Sequence, residues 1–164
     1  MTTARLSIEA AGPLTTIQDG GRPGYMRFGV PGSGPVDRFS FAAAHAALGN
    51  RRDAALIELS LGGLTLRCAD AALGFALCGG DFTAEIDGRP LGGWVVGTVE
   101  PGQRLRVRPG AQGNWAYLAV AGQIAAPEWL GSRATHALSG LGGEAREQGL
   151  GESVDRLDAQ AAAG

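Results

Sequence analysis

The side chains best equipped for chemistry ride on one awkward stretch, "TIQDGGRPGYMRFGVPGSGPVD", from Thr16 to Asp37. Glycine admits positive φ and lets a backbone approach a ligand closely, whereas proline fixes φ and removes a donor. Together they build a shaped loop, and this one carries Asp19, Arg22, Arg27 and Asp37. Arg22, flanked by Gly20, Gly21, Pro23 and Gly24, can present two parallel donors to a carboxylate or carbamate. A bidentate pair with Asp19 or Asp37 that only staples the loop would use the same geometry. Asp19 either fixes Arg22 in place or accepts a proton from a substrate amide. Ser33 and Gly34 stand just before a helical segment, so their amides can form an anion-receiving nest, although plain helix capping accounts for Ser33 as well.

Two more candidates lie outside the loop. Glu58 sits inside the apolar run "LIELSL", where an unpaired carboxylate would cost on the order of several kcal/mol if buried. Such a residue needs a partner, for which the loop arginines are the expected source. Without an arginine its pKa should rise, which would suit a proton carrier; an outward-facing strand residue is the other reading. Arg133, within "GSRATH", is either a second anion clamp or a structural tie. His45 falls on an alanine-rich segment and reads as a packing or surface residue.

Composition removes several alternatives. The formal net charge is −2 and the charges are mixed in sign, so no basic stripe offers the phosphate-neutralising footprint of nucleic-acid binding. All positive residues are arginine, which excludes a Schiff-base or P-loop lysine supplied by these residues. Cys68 and Cys78 match no metal or redox spacing and read as buried thiols, so no metal site is expected. The start of the chain has no apolar run of signal-peptide length, and no segment approaches the ~20 apolar residues of a membrane span. A cytosolic setting without membrane attachment is the expectation.

The elements that must position these residues are mostly short strands. "LSIEA", "LTTIQD", "ALIELSL", "LTLRC", "LGFALCG", "FTAEIDG", "WVVGTV", "RLRVRPG" and "WAYLAVAG" have strand composition, several with period-two alternation. In "RLRVR", Leu105 and Val107 alternate with arginines, predicting one buried and one wet face. Asp87-Gly88 suits a type I′ hairpin and Pro101-Gly102 a type II turn. Nine such runs predict a mainly β fold, a barrel or a sandwich. One helix is predicted over residues 36–48, with Val36, Phe39, Ala43 and Ala47 on one face, Pro35 at its first position, Ser33 or Gly34 as cap and Asp37 in the first turn. Gly49-Asn50 supplies the stop. The domain is expected to span residues 1–154, with 155–164 as a tail that is frayed or disordered.

The segments "TIQDGGRPGYMRFGVPGSGPVDRFSFAAAHAALGN", "ALIELSLGGLTLR", "WAYLAVAG" and "LGSRATHALSGLGG", in that order, resemble the carboxyltransferase subdomain A/B family. This family includes allophanate hydrolase subunit 2, the C subunit of 5-oxoprolinase and part of the urea carboxylase carboxyltransferase domain. The resemblance spans roughly residues 3–154 and implies a cyclophilin-like closed β-barrel, corresponding to the first of two related subdomains. It further implies a subunit, or half of one, of a heteromeric ATP-linked enzyme that processes small amides. Its partners would be a related subunit and a lactam hydrolase subunit. ATP would be used by the assembled complex, no cofactor would be held by this chain, and biotin would enter only in carboxylase-type relatives. In that setting Arg22 and Arg133 would bind a carboxylate or phosphorylated intermediate, Ser33 and Gly34 would stabilise developing negative charge, and Asp19 and Glu58 would orient these groups or move protons. The alternative is a non-catalytic regulatory module that pairs with a related subunit. Two positions depart from the family's pattern: His45 stands where Asn is common, and His136 where Asp or Tyr is.

Overall fold

The computed structural model describes residues 3–136 and 157–160. Within them lie two antiparallel sheets and one α-helix. The larger sheet is built from β1 (Thr3–Ala11), β4 (Leu64–Cys68), β6 (Phe82–Ile86), β7 (Arg89–Gly92), β9 (Arg104–Pro109), β11 (Gln123–Ala125) and β12 (Leu157–Gln160). Its strands run in the order β11-β12-β1-β4-β9-β6-β7. The smaller sheet contains β2 (Thr16–Gln18), β3 (Leu56–Leu59), β5 (Leu73–Gly79), β8 (Val95–Val99) and β10 (Ala116–Val120), ordered β2-β3-β10-β5-β8.

A single apolar layer fills the space between the sheets. Leu6, Leu66, Phe82 and Leu105 come from the larger one, and Ile57, Phe75, Leu77 and Leu118 from the smaller. In β9, Leu105 and Val107 are buried while Arg104, Arg106 and Arg108 are exposed, as the alternation predicts. The wet face is laced by ion pairs, with Arg67 and Arg104 on Glu9 and Arg108 on Glu85. β10 does not alternate because all five of its residues are buried. Ala116, Leu118 and Val120 face the inter-sheet core, and Tyr117 and Ala119 face a second cluster with Phe41 and Ala44 of the helix, Leu56 and Cys78. Glu58 lies between Ile57 and Leu59, so strand alternation turns it, like Leu56, toward this helix side.

The mainly β expectation holds, but among the described residues the sheets do not close into a barrel. Each ends in edge strands: β11 and β7 in one, β2 and β8 in the other. Period-two patterning specifies a half-buried sheet; it carries no information on whether the outermost strands find each other, which long-range register decides. All nine strand segments form. β7 was hidden by Pro90 and Gly92, and β11 by its three-residue length. Residues 157–160, placed by sequence in a tail, instead form β12, paired on one side with β1 and on the other with β11. The expected domain limit at residue 154 lies outside the described residues. Both turn assignments are met: Asp87 and Gly88 have φ of 47° and 80° between paired Ile86 and Arg89, and Gly102 has φ 84°.

The helix, α1 (Arg38–Leu48), starts two residues later than expected. Asp37 itself is the cap, its Oδ1 accepting from the Phe39 and Ser40 amides and its Oδ2 from the Ser40 hydroxyl. Neither Ser33 nor Gly34 caps it, and Pro35 lies outside it, because a carboxylate two residues before the first free amides makes the better acceptor. The buried face carries Ser40, Phe41, Ala44 and His45 rather than the expected stripe, leaving Phe39 76% exposed. Gly49 ends α1 in the left-handed region at φ 66°, where a side chain would be strained. No helix among the described residues is long and apolar enough to cross a membrane.

Candidate functional site

The Gly-rich loop is tied to a segment more than a hundred residues away. Asp19 Oδ1 accepts from the Gly21 amide at 2.8 Å and the Ser132 hydroxyl at 2.6 Å, and Oδ2 accepts from the Arg133 amide at 2.5 Å. Gln18 Nε2 donates to Thr16 Oγ1 at 2.9 Å and to the Thr135 carbonyl at 3.1 Å, while its Oε1 accepts from the Gly34 amide at 3.1 Å. The Thr135 amide donates to the Ile17 carbonyl, so residues 132–135 run along the outer side of β2. "TIQDGGR" and "GSRAT", two of the stretches that carry the family resemblance, therefore build one structure.

Arg22 is the most deeply placed of these residues, 1% exposed. Its Nη2 donates to the Ala134 carbonyl, its Nη1 to Ser33 Oγ at 2.9 Å and its Nε to the Trp129 carbonyl at 3.5 Å. The guanidinium also lies 5.0 Å from the centroid of the Trp129 ring. The bidentate Arg22–carboxylate pair considered from sequence does not form. Asp19 is saturated by donors from Gly21, Ser132 and Arg133, and Asp37 is committed to α1. Burial consequently pulls the Arg22 pKa down, with the Asp19 charge opposing it.

Around this anchor the loop doubles back on itself. Gly21 has φ 83°, and a Cβ there would lie 2.7 Å from the Gly32 carbonyl oxygen, so only glycine permits the approach. Ser33 and Gly34 both adopt left-handed backbone, φ 54° and 97°. The Gly34 amide is occupied by Gln18, so the nest expected from two amides has one engaged internally. Arg133 is held by Glu128 at 3.1 Å and by the Ala126 carbonyl at 3.1 Å, the arrangement of a structural tie. Thr135 Oγ1 is buried and makes no hydrogen bond among the described residues.

Among the described residues no arginine pairs with Glu58, contrary to the expected pairing. It is 4% exposed, and its Oε2 accepts from the Val36 amide at 2.9 Å and the Tyr117 hydroxyl at 2.8 Å. Burial raises its pKa, and the hydrogen bonds from Val36, Tyr117 and Thr16 only partly offset this. Tyr117 is pushed strongly upward by the same burial, so it remains a donor. Its oxygen accepts in turn from the Asp37 amide at 2.6 Å.

The structure thus gathers Asp19, Arg22, Ser33, Gly34 and Arg133 at one place and sets Glu58 behind the run from Val36 to Asp37. Tyr117, Trp129, Ser132 and Thr135 were not singled out as site residues from sequence. Tyr117 had a usable signal: a buried glutamate without a cation demands hydroxyl or amide donors, and Tyr117 is the only hydroxyl in "AYLAV". His45 is buried on α1, its ring 4.6 Å from that of Phe41 and its Nε2 without a hydrogen bond among the described residues. Burial lowers its pKa, opposed by the Ala54 backbone and the Asp53 charge. Cys68 and Cys78 are free and buried. Among the described residues no three His, Cys, Asp or Glu side chains gather as a metal site would require.

Comparison with known proteins gives these features a context. Urea amidolyase of Lachancea kluyveri is 39% identical over 137 residues, which is 83% of this chain and 7% of that one. The C subunit of Escherichia coli 5-oxoprolinase is 37% identical over 139 residues, 84% of this chain and 44% of the relative. The chain therefore spans less than half the length of the curated relatives it matches. The crystal structure of Kluyveromyces lactis urea carboxylase superimposes with a TM-score of 0.85 at 34% identity, covering 93% of this chain and 13% of that one. The family model for the carboxyltransferase domain, subdomain A and B, matches residues 28–162. With most of its length matched by that model and its fold shared with a solved member, this chain belongs to the carboxyltransferase domain subdomain A and B family.

Proposed function

We propose that this chain is a subunit, or half of one, of a heteromeric ATP-linked amide-processing enzyme of the 5-oxoprolinase or allophanate hydrolase type. It would work beside a related partner subunit, with a lactam hydrolase subunit joining them if the substrate is a cyclic amide. The observation that carries the reading is the Ser33-Gly34 turn. It is held in left-handed backbone by Gln18 and by a buried Arg22, at the entry to α1. A hydroxyl that already accepts from a guanidinium is a polarised donor, because chained hydrogen bonds strengthen one another. Ser33 Oγ is that hydroxyl, and with the Ser33 amide it suits the oxygen of a small amide or carboxylate. Arg22 adds positive charge behind it. Asp19 and Arg133 hold the frame, and Glu58 provides a carboxyl whose burial raises its pKa above the ordinary glutamate value, which suits a proton carrier. ATP is used by the assembled complex, and biotin enters only where the partner is of carboxylase type.

The test is a coupled assay in the complex reconstituted with the cognate partner subunits, using 5-oxoproline, allophanate and urea as substrates. One substrate should be consumed with ATP, and Ser33→Ala should lower kcat/KM on the order of a hundredfold, as loss of a donor to a developing oxyanion does. Arg22→Ala should do at least as much. Unchanged turnover in both variants overturns the assignment. A second reading, a non-catalytic module that regulates its partner, draws support from the internal commitment of Asp19 and Arg133 and from exposed Phe39 and Trp94, whose rings lie 6.2 Å apart. Stable co-purification with the partner and no ATP-linked turnover of any of the three substrates would favour it.

A further inference from the structure

We propose that Tyr117 and Glu58 form a latch that positions the Ser33-Gly34 turn, making Tyr117 a positioning residue of the site. The two residues are direct register partners on β10 and β3, both on the side of the smaller sheet that faces α1. From there the carboxylate accepts from the Val36 amide, and the hydroxyl, which donates a hydrogen bond to the carboxylate, accepts from the Asp37 amide. Two consecutive amides of the loop, just ahead of the helix, are therefore gripped by one carboxylate–hydroxyl pair anchored in the sheet. Only Pro35 separates Val36 from Gly34, and its ring fixes φ, so a displacement at Val36 passes to the turn with little slack. On the other side the turn is fixed by Gln18 and Arg22. Release of the latch would leave it held from that side alone.

The latch also carries a titratable group. Glu58 is faced by Thr16 from β2, by Tyr117 from β10 and by the Val36 amide from the loop. Asp37 lies beyond the tyrosine with its carboxylate turned into the first turn of α1. On α1 the nearest ring is Phe41, 6.1 Å from that of Tyr117. Among the described residues no cation pairs with Glu58, so only dipoles balance its charge. A proton on Glu58 makes it a poorer acceptor for both donors, and the position of the turn becomes linked to pH. The positioning role rests on the proposed function, whereas the latch itself does not.

The experiment follows the amide resonances of Val36 and Asp37 by NMR across a pH series, in wild type, Tyr117→Phe and Glu58→Gln. In wild type both amides should shift on one curve whose midpoint lies above the ordinary glutamate value of about 4.3. Glu58→Gln should abolish that curve. Tyr117→Phe keeps the ring and removes one donor to the carboxylate, so its midpoint should rise further and the Asp37 amide should exchange with solvent at least tenfold faster. Amides that do not titrate in wild type, or a midpoint unmoved in Tyr117→Phe, overturn the latch; the wild-type arm decides this even if a variant folds poorly. In the active complex, Tyr117→Phe should shift the pH profile of kcat/KM in the same direction as the amide midpoint. A profile that stays fixed while the midpoint moves overturns the positioning role. A wild-type complex with no turnover would instead sink the proposed function, and the amide titration would still decide the latch.

Discussion

Arg22 is a full charge kept dry and partnered by carbonyls, a hydroxyl and an indole face, and Asp19 is a carboxylate surrounded by donors. Removing the charge of a buried acceptor while facing one of its donors with an NH2 group is costly. Asp19→Asn should therefore lower stability by about 2–3 kcal/mol, which for a domain of this size is roughly 4–12 °C in Tm. A thermal scan showing a change below about 1 °C would contradict the saturated geometry. His45 supplies a pH-dependent counterpart. The unfolded chain takes up a proton at this residue near pH 6.5, and the folded chain only at lower pH, so stability falls as pH drops below about 6.5 and is unaffected above it. Glu58 acts in the opposite sense: its folded pKa is raised, so stability falls as pH rises from about 4.3 through the folded value. The two effects overlap on acidification, and His45 is isolated by comparison with His45→Gln. The Tm of wild type should fall relative to that variant between about pH 6.5 and 5.5, and parallel curves would refute the assignment. At this scale sequence identified the charged residues of the loop but not their partners, because Ser132, Ala134 and Thr135 approach Asp19, Arg22 and Gln18 only through the fold.

Among the elements, α1 shows how a cap decides more than a boundary. Asp37 satisfies two of the first amides and a hydroxyl of α1, and Phe41, buried beneath it, contributes on the order of 1.5–3 kcal/mol of apolar burial. Asp37→Ala should cost about 1–2 kcal/mol in chemical denaturation, and Asp37→Asn should recover most of it, since an amide oxygen caps nearly as well. Equal loss in both would mean that the carboxylate does something other than cap. Helical spacing located α1 to within two residues, yet it predicted the wrong face. Val36 and Phe39 gave an apolar stripe, but the neighbouring strands present Leu56, Cys78 and Tyr117 to Phe41 and Ala44. The nine recognised strands were legible because β-branched and aromatic residues alternate or run continuously between glycines. β7, with Pro90 and Gly92, lacked that texture and is specified by the Asp87-Gly88 turn and its pairing with β6.

At the scale of the whole molecule, sequence supplied the mainly β character and the family. Whether the sheets close was not written in any local pattern. Among the described residues two open sheets share one core, and β12 enters the larger between β1 and β11. The site has a similar long-range construction: the bonds of Asp19 to Ser132 and Arg133 and of Arg22 to Ala134 reach 112 to 114 positions further along the chain. During synthesis at about 5–20 residues per second, the loop would emerge roughly 6–23 s before the residues that satisfy it. Over that interval the hairpins between can form from local contacts, while Asp19 and Arg22 have only their nearby partners, Gly21, Gly32 and Ser33, and lack those supplied by residues 132–134. The order of translation thus leaves Asp19 and Arg22 without part of their hydrogen-bonding shell until residues 132–134 appear, and a nascent chain stalled before residue 132 would hold these two charges incompletely partnered.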